Sequence, residues 1–136
     1  MIFLGRILVV AAISLLFLAY SNFAPTALSS PEIADYVKNH FVREMLFGVT
    51  LSAWAIILAL SPLSNRRIVM LGFIGSIVVL PFWIASLFGW STDGLQSVWG
   101  EDLRPNSAYF LHGPQLGLFY VGMALISLGF GRTERD

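Results

Sequence analysis

Residues 29–67 decide the fold, and they read SSPEIADYVKNHFVREMLFGVTLSAWAIILALSPLSNRR. The stretch opens with two serines, a proline and a glutamate, continues as an apolar run over 41–60, and closes on Ser61-Pro62 and two arginines. About 20 consecutive, mostly apolar residues are what one helix needs to cross the hydrocarbon core of a bilayer. The pattern therefore predicts a transmembrane helix with a polar start at one side and a basic turn at the other.

The composition of the whole chain favours a membrane over water. Of its 136 residues, 57% are hydrophobic and only 12% are charged. A soluble domain of this size leaves much of its chain facing solvent and cannot hide so much apolar surface. Eight basic and eight acidic residues cancel, so the chain has no net field that would attract nucleic acid. Because cysteine is missing, disulfides, thiolate metal sites and dithiol redox chemistry are excluded.

Three more apolar runs accompany the first, and together they predict a single all-α integral membrane domain over residues 1–136, a four-transmembrane-helix bundle. The predicted spans are about 2–20, 41–61, 68–90 and 109–131, with outer loops at 21–40 and 91–108. The run over residues 2–20 also fits a signal peptide, since Arg6 precedes an apolar stretch that ends in small residues. We interpret it as a transmembrane helix.

Serines and prolines predict where the helices begin, bend and end. The Ser-Ser-Pro run at 29–31 favours a helix start, because a serine hydroxyl can cap a first turn and proline suits that turn. Residues 21–30 are therefore expected to form a loop. Pro81 is expected to kink the third span, and the His-Gly-Pro run at 112–114 to interrupt the fourth near its start.

The basic residues predict the orientation. Five lie on one side of the predicted topology and three on the other: Arg6, Arg66, Arg67, Arg132 and Arg135 against Lys38, Arg43 and Arg104. Because cytoplasmic loops are rich in lysine and arginine, both termini are expected to face the cytoplasm, in a bacterial inner membrane. An aromatic belt then marks the outer interface: Tyr20, Tyr36, Trp90, Trp99 and Tyr109.

Pairs of small residues predict where the helices meet. Each pair is spaced by four residues: Gly48 and Ser52, Gly72 and Ser76, Gly113 and Gly117. In a membrane, small side chains at this spacing allow the close helix approach that packing requires.

Five polar residues form a candidate ligand cluster. His40, Arg43 and Glu44 head the second helix, and His112 and Gln115 head the fourth, so the topology predicts them at one depth. His40 and Glu44 lie one helical turn apart, and His112 would complete a ligand set suited to zinc or iron. The interpretation that we favour is simpler: interfacial groups that are satisfied by water and lipid headgroups.

Two further roles are open for these residues. His112 is a candidate haem or chlorin ligand, because Ala108 lies one turn before it and leaves room for a flat macrocycle. Arg43 and Glu44 suit a gate or a proton-accepting site, although a structural ion pair or headgroup contacts are the favoured interpretation. Motifs for catalytic nucleophiles, phosphate loops and zinc proteases are missing from the sequence. Neither an enzymatic activity nor a cofactor is assigned.

The run Arg43-Glu44-Met45-Leu46-Phe47-Gly48, followed by an apolar span, Ser61-Pro62 and a basic turn, resembles the DoxX-like small four-helix bacterial membrane proteins. That group typically places an acidic residue and a glycine at the head of the second helix. The resemblance implies a four-helix bundle, with Glu44 as a buried polar site and Gly48 as a packing position. The chain departs from the group at Phe47, where a second glycine is often found, and in a longer last loop.

The sequence supports three functional hypotheses. The first is a non-catalytic accessory or assembly subunit of a larger respiratory or photosynthetic membrane complex, with other membrane subunits and the bilayer as partners. The second is a protein that binds or transports a lipid, a quinone or another small apolar ligand. The third is a metal- or haem-dependent oxidoreductase component.

Overall fold

The computed structural model describes residues 1–29, 31, 34–81, 83–84 and 105–133, without the side chains of 19, 20, 22, 23, 26, 27 and 105–111. This part of the chain is all-α and consists of four helices: α1 (Ile2–Ser29), α2 (Asp35–Leu60), α3 (Asn65–Val79) and α4 (Pro105–Thr133). The all-α prediction is confirmed. Two segments, α2 and the His112–Thr133 part of α4, are long and apolar enough to cross a membrane.

Some predictions fall outside the described part of the chain. They concern most of the predicted loop at 91–108 and six of the residues assigned to the two interfaces, together with the side chain of Ala108, one turn before His112. The interfacial residues are Trp90, Trp99, Arg104 and Arg135, and the side chains of Tyr20 and Tyr109.

The connection between α1 and α2 differs from the predicted one. α1 continues through Pro25 to Ser29, so the predicted loop at 21–30 is wrong over most of its length. α2 begins at Asp35 after Ala34, whose backbone is extended and which provides no side-chain cap. Ser29 therefore ends α1 instead of starting α2. A proline costs a helix one hydrogen bond, and α1 tolerates that loss at Pro25.

Proline acts differently in α3 and α4. α3 starts at a capped turn, where the backbone N–H of Arg67 donates to Ser64 Oγ over 3.3 Å, and it ends at Val79. The helix is interrupted at Leu80 and a helical turn follows from Pro81, where the N–H of Ile84 donates to the carbonyl of Leu80; the kink expected at Pro81 stays a prediction. By contrast, α4 runs through Pro114 without ending, and the predicted interruption at 112–114 is wrong.

The helices pack in ring order. α1 contacts α4 most extensively and α2 next, α3 lies between α2 and α4, and α2 and α4 occupy opposite corners. Neighbours are antiparallel: Arg6 reaches the last carbonyls of α2, and Ile2 lies against Gly129 of α4. The start of α1, the end of α4 and the turn between α2 and α3 consequently share one end of the bundle.

Glycine allows α1 and α4 to pack backbone against backbone. A Cβ atom added to Gly5 would lie 2.6 Å from the carbonyl oxygen of Gly122, and one added to Gly122 would lie 2.8 Å from that of Gly5. The buried positions of α4 repeat every three or four residues: Gln115, Phe119, Gly122, Ile126 and Gly129. This heptad spacing is typical of antiparallel helices with knobs-into-holes packing.

The structure places some of the predicted packing residues at contacts between helices and others away from them. Ser52 is fully buried and Gly48 partly buried, and Gly72 faces Met123 of α4. Ser76 Oγ lies 3.1 Å from the hydroxyl of Tyr120, so the α3 pair is at a helix contact as predicted.

The α4 pair makes no close contact with another described helix. Among the described residues, none lies within 4 Å of a Cβ added to Gly113 or Gly117, because these two glycines face away from the α1 seam. Gly75 is the closer contact between α3 and α4, since a Cβ atom there would clash with the ring of Phe119.

Candidate functional site

His40 and Glu44, which the sequence places one helical turn apart, are in contact at the head of α2. His40 Nε2 lies 3.0 Å from Glu44 Oε1, as the spacing of one helical turn allows. Both side chains are exposed, at 71% and 64%. Glu44 is therefore not the buried polar site that the family resemblance implies.

Arg43 points to the outside of the bundle and does not pair with its neighbour in sequence. Successive residues of a helix lie about 100° apart, so Arg43 and Glu44 face different directions. In the described residues Glu44 pairs with His40, and an Arg43–Glu44 ion pair is not formed. The head of α2 thus carries a solvated cluster with both signs of charge.

Gln115 is the most deeply buried polar side chain of the predicted cluster. It is 1% exposed, and its Oε1 lies 2.9 Å from Nδ1 of His112, one turn earlier on α4. The Nε2 amide nitrogen of Gln115 has no hydrogen-bond partner in the described part of the protein. A buried amide donor without a partner costs about 1–3 kcal/mol, so the site favours a group that accepts a hydrogen bond.

Ser52 of α2 is a second buried polar group of this kind. It is fully buried, and its Oγ has no partner among the described residues. At 1.5 Å per residue, Ser52 lies about 14 Å along α2 from Ser61, which is at the Arg6 end of the bundle. Gly122 packs against Gly5 near that same end. Gln115 is seven residues before Gly122, so it lies about 10 Å further into the bundle. Both orphaned groups therefore lie in the middle third of the bundle.

The structure does not assemble the predicted metal site. In the described residues no group of three or more His, Cys, Asp or Glu side chains is placed to hold a metal ion. His112 is on α4, and His40 and Glu44 are on α2, which is the opposite corner of the helix ring. The sequence places the heads of α2 and α4 at one end but does not reveal that they are diagonal.

Arg6 has a structural role that the sequence does not indicate. Its Nη2 donates to the carbonyl of Ser61 over 2.9 Å, and its Nη1 to that of Leu60 over 3.3 Å. These carbonyls end α2 and have no partner within the helix. Beside Arg6 lies an open groove of about 380 Å³, which is lined by Phe3, Arg6, Ile7, Val10, Ala11 and Leu60.

The outside of the bundle is largely apolar. Every helix exposes large hydrophobic side chains along its length, among them Phe3, Ile7, Phe47, Trp54, Val69, Phe73, Val121 and Leu128. Only 17% of the most apolar window of α2 and 22% of that of α4 are buried in the bundle. A soluble core helix buries far more of its apolar surface, so this exterior is suited to lipid.

No protein-family model, no curated protein and no solved structure matches this chain. Its function is therefore argued from its own residues and geometry.

Proposed function

We propose that the chain is a polytopic membrane protein whose four helices all cross the bilayer, in a bacterial inner membrane. One observation carries the proposal: the apolar exterior, which surrounds a narrow buried seam. Water would penalise this exposed area at roughly 25 cal/mol for each Å², whereas lipid does not. α3 is short as described, and the sequence continues with further apolar residues after Pro81.

The arginines support an orientation with both termini in the cytoplasm. Arg6, Arg66, Arg67 and Arg132 all belong to the end that holds the α2–α3 turn and the end of α4. Lys38 and Arg43 belong to the opposite end, at the start of α2. Clustering of arginine at one end is typical of the cytoplasmic side.

We infer that the protein acts as a non-catalytic accessory or assembly subunit of a larger membrane complex, respiratory or photosynthetic. Among the residues that the structure describes, no three or more His, Cys, Asp or Glu side chains are grouped to hold a metal ion. The interior is instead used for glycine-mediated helix packing. The DoxX-like resemblance at residues 43–48 agrees with a small bundle of this kind, and Trp54, which is 55% exposed on the last two turns of α2, suits contact with a protein neighbour.

The test combines fractionation with affinity purification. The tagged protein is expected to stay in the membrane pellet after alkaline carbonate washing and to be recovered in mild detergent with a stoichiometric membrane subunit. Reporter fusions at both termini are expected to be active on the cytoplasmic side. Release by carbonate contradicts membrane insertion, whereas recovery without any stoichiometric partner contradicts only the accessory role.

A second function is favoured by a separate observation, the orphaned amide of Gln115. A lipid, a quinone or another small apolar ligand with a carbonyl or ether oxygen would give Gln115 Nε2 the acceptor that it lacks. Ser52 Oγ, buried in the same part of the bundle, is a second anchor for such a molecule.

This function predicts a small molecule that is retained during purification. Mass spectrometry of an organic extract is expected to find it in the wild type and to show its loss in Gln115→Leu. Gln115→Leu keeps the buried volume and removes only the amide, and Ser127→Leu on the exposed side of α4 is the matched control. If the extracts of the wild type, Gln115→Leu and Ser127→Leu contain the same amount of the small molecule, the hypothesis is wrong.

A further inference from the structure

An open groove lies on the outside of the bundle, between the first three turns of α1 and the end of α2. Five of its six lining residues are apolar and the sixth is an arginine: Phe3, Arg6, Ile7, Val10, Ala11 and Leu60. We call it the Arg6 groove. Its lining on α1 extends from Phe3 to Ala11, about 12 Å into the bundle at about 1.5 Å per residue. The groove thus combines a cation near the end of the bundle with an apolar lining that leads away from that end.

The charge of Arg6 is not compensated by an acidic side chain in the described part of the chain. Its two hydrogen bonds go to neutral carbonyls, those of Leu60 and Ser61. Its Nε is buried and has no partner among the described residues, so an anion would approach the other N–H groups of Nη1 and Nη2. The carbonyls satisfy part of the hydrogen-bonding capacity of the guanidinium and leave its positive charge in place.

A second guanidinium reaches the same turn from α3. Arg67 Nη1 donates to the carbonyl of Pro62 over 2.7 Å, directly after the carbonyl of Ser61 to which Arg6 donates. Since consecutive Cα atoms are about 3.8 Å apart, the two guanidinium groups lie within roughly 10 Å of each other. The two acidic residues that the structure describes are at the opposite end of the bundle, near the head of α2: Asp35 and Glu44. Charge complementarity at the Arg6 end therefore favours an anion.

We propose that the Arg6 groove binds an anionic phospholipid, with its phosphate at Arg6 and one acyl chain along the apolar lining. Arginine binds phosphate oxygens through charge-assisted hydrogen bonds. The proposal rests on the membrane insertion and orientation that we propose for the bundle, which place Arg6 at the cytoplasmic leaflet. That leaflet is rich in anionic lipids, and basic pockets between helices on this side are typical sites for acidic headgroups.

The size of the groove favours an acyl chain over a protein helix. Its volume is about 380 Å³, within the range of about 300–1,000 Å³ that is usual for small-molecule sites. A single helical turn, about 10 Å wide and about 5.4 Å long, occupies more than this volume. The groove is also separate from the buried Gln115, because it lies on the outside of the bundle at the Arg6 end.

The test measures which lipids the full-length protein retains. The protein is purified in mild detergent and given equal amounts of phosphatidylglycerol and phosphatidylcholine, which share the phosphodiester and differ in net charge. Native mass spectrometry measures the amount of each lipid that is bound. Arg6→Gln removes the charge, whereas Ala11→Phe fills the groove and leaves Arg6 in place. The matched controls are Arg66→Gln at the same end of the bundle and Ala124→Phe at an exposed position of α4.

The wild type is expected to retain several-fold more phosphatidylglycerol than phosphatidylcholine. Arg6→Gln is expected to lose this preference, Ala11→Phe to retain several-fold less phosphatidylglycerol, and both controls to behave as the wild type. Ala11→Phe keeps the hydrogen bonds of Arg6 to the end of α2, so it tests the groove even if Arg6→Gln does not fold.

Three results overturn the proposal. The first is equal retention of the two lipids by the wild type, and the second is wild-type retention by Ala11→Phe. The third is an equal loss in Ala124→Phe, which assigns the bound lipid to the general apolar exterior. Release of the protein by alkaline carbonate overturns membrane insertion together with the proposal, whereas a protein that stays in the membrane and shows no lipid preference overturns the proposal alone.

Discussion

At the scale of single residues, the packing of this protein depends on which glycines face a neighbour. Gly122 faces Gly5 and Val9 of α1, whereas Gly117, on the same helix, faces open space. Both look alike in the sequence, since each lies in an apolar run of α4. Their different surroundings make them a matched pair for experiment.

Gly122→Ala is expected to destabilise the bundle by about 1–3 kcal/mol, the usual cost of an overpacked core. The added Cβ would lie 2.8 Å from the backbone oxygen of Gly5, and a backbone atom cannot move aside cheaply. Gly117→Ala is expected to be neutral, or to stabilise by up to about 1 kcal/mol through helix propensity. The free energy of unfolding, measured by detergent titration and circular dichroism, checks both. Equal effects of the two substitutions would contradict the α1–α4 contact.

At the scale of helices, one side chain of α1 completes the end of α2. Arg6 donates to the carbonyls of Leu60 and Ser61, and the hydroxyl of Ser61 donates back to Ile57. α2 consequently ends in a satisfied turn and not in open carbonyls. Arg66, in the first turn of α3 at the same end of the bundle, is exposed.

Arg6→Ala is expected to lower the free energy of unfolding by about 1–3 kcal/mol, because it removes two hydrogen bonds from a charged donor. Arg66→Ala removes the same charge from the same end of the bundle and is expected to change the free energy of unfolding by less than about 0.5 kcal/mol. Comparing the two variants separates the effect of the lost hydrogen bonds on stability from the effect of the lost charge. If both variants lose the same stability, the capping role of Arg6 is wrong.

At the scale of the whole molecule, the exterior separates a membrane bundle from a soluble one. Phe73 is 68% exposed on α3, about 12 Å from the start of that helix. In water, a charge at such a position would be tolerated. In hydrocarbon, a lysine at the centre of a span opposes insertion by about 2.5–3.5 kcal/mol.

Phe73→Lys is therefore expected to reduce the amount of protein in the membrane fraction severalfold or more. Asn65→Lys, at the exposed start of the same helix, adds the same charge outside the span and is expected to leave that amount unchanged. Quantitative immunoblotting of membrane and soluble fractions measures both. A soluble, folded Phe73→Lys protein at wild-type levels would count against the proposed insertion.

Local patterns in the sequence explain why the helices could be predicted but some of their ends could not. The apolar runs depend on neighbours along the chain, so helices in the regions of α2, α3 and α4 are predictable from the sequence. Pro25 and Pro114 were misjudged because a proline ends a helix only where the surrounding packing does not compensate for the lost hydrogen bond. The His40–Glu44 pair was predictable, since a spacing of four residues fixes it within one helix.

That the chain is helical and apolar, that it has polar helix heads and that His40 can reach Glu44 all follow from composition and from spacing within one segment. That α2 and α4 are diagonal, that Gln115 is buried while Glu44 is exposed, and that Gly5 meets Gly122 follow only from how the helices pack. The rotation of a helix about its axis is set by its neighbours, and each described helix is apolar on several faces, so its sequence does not show which face is buried.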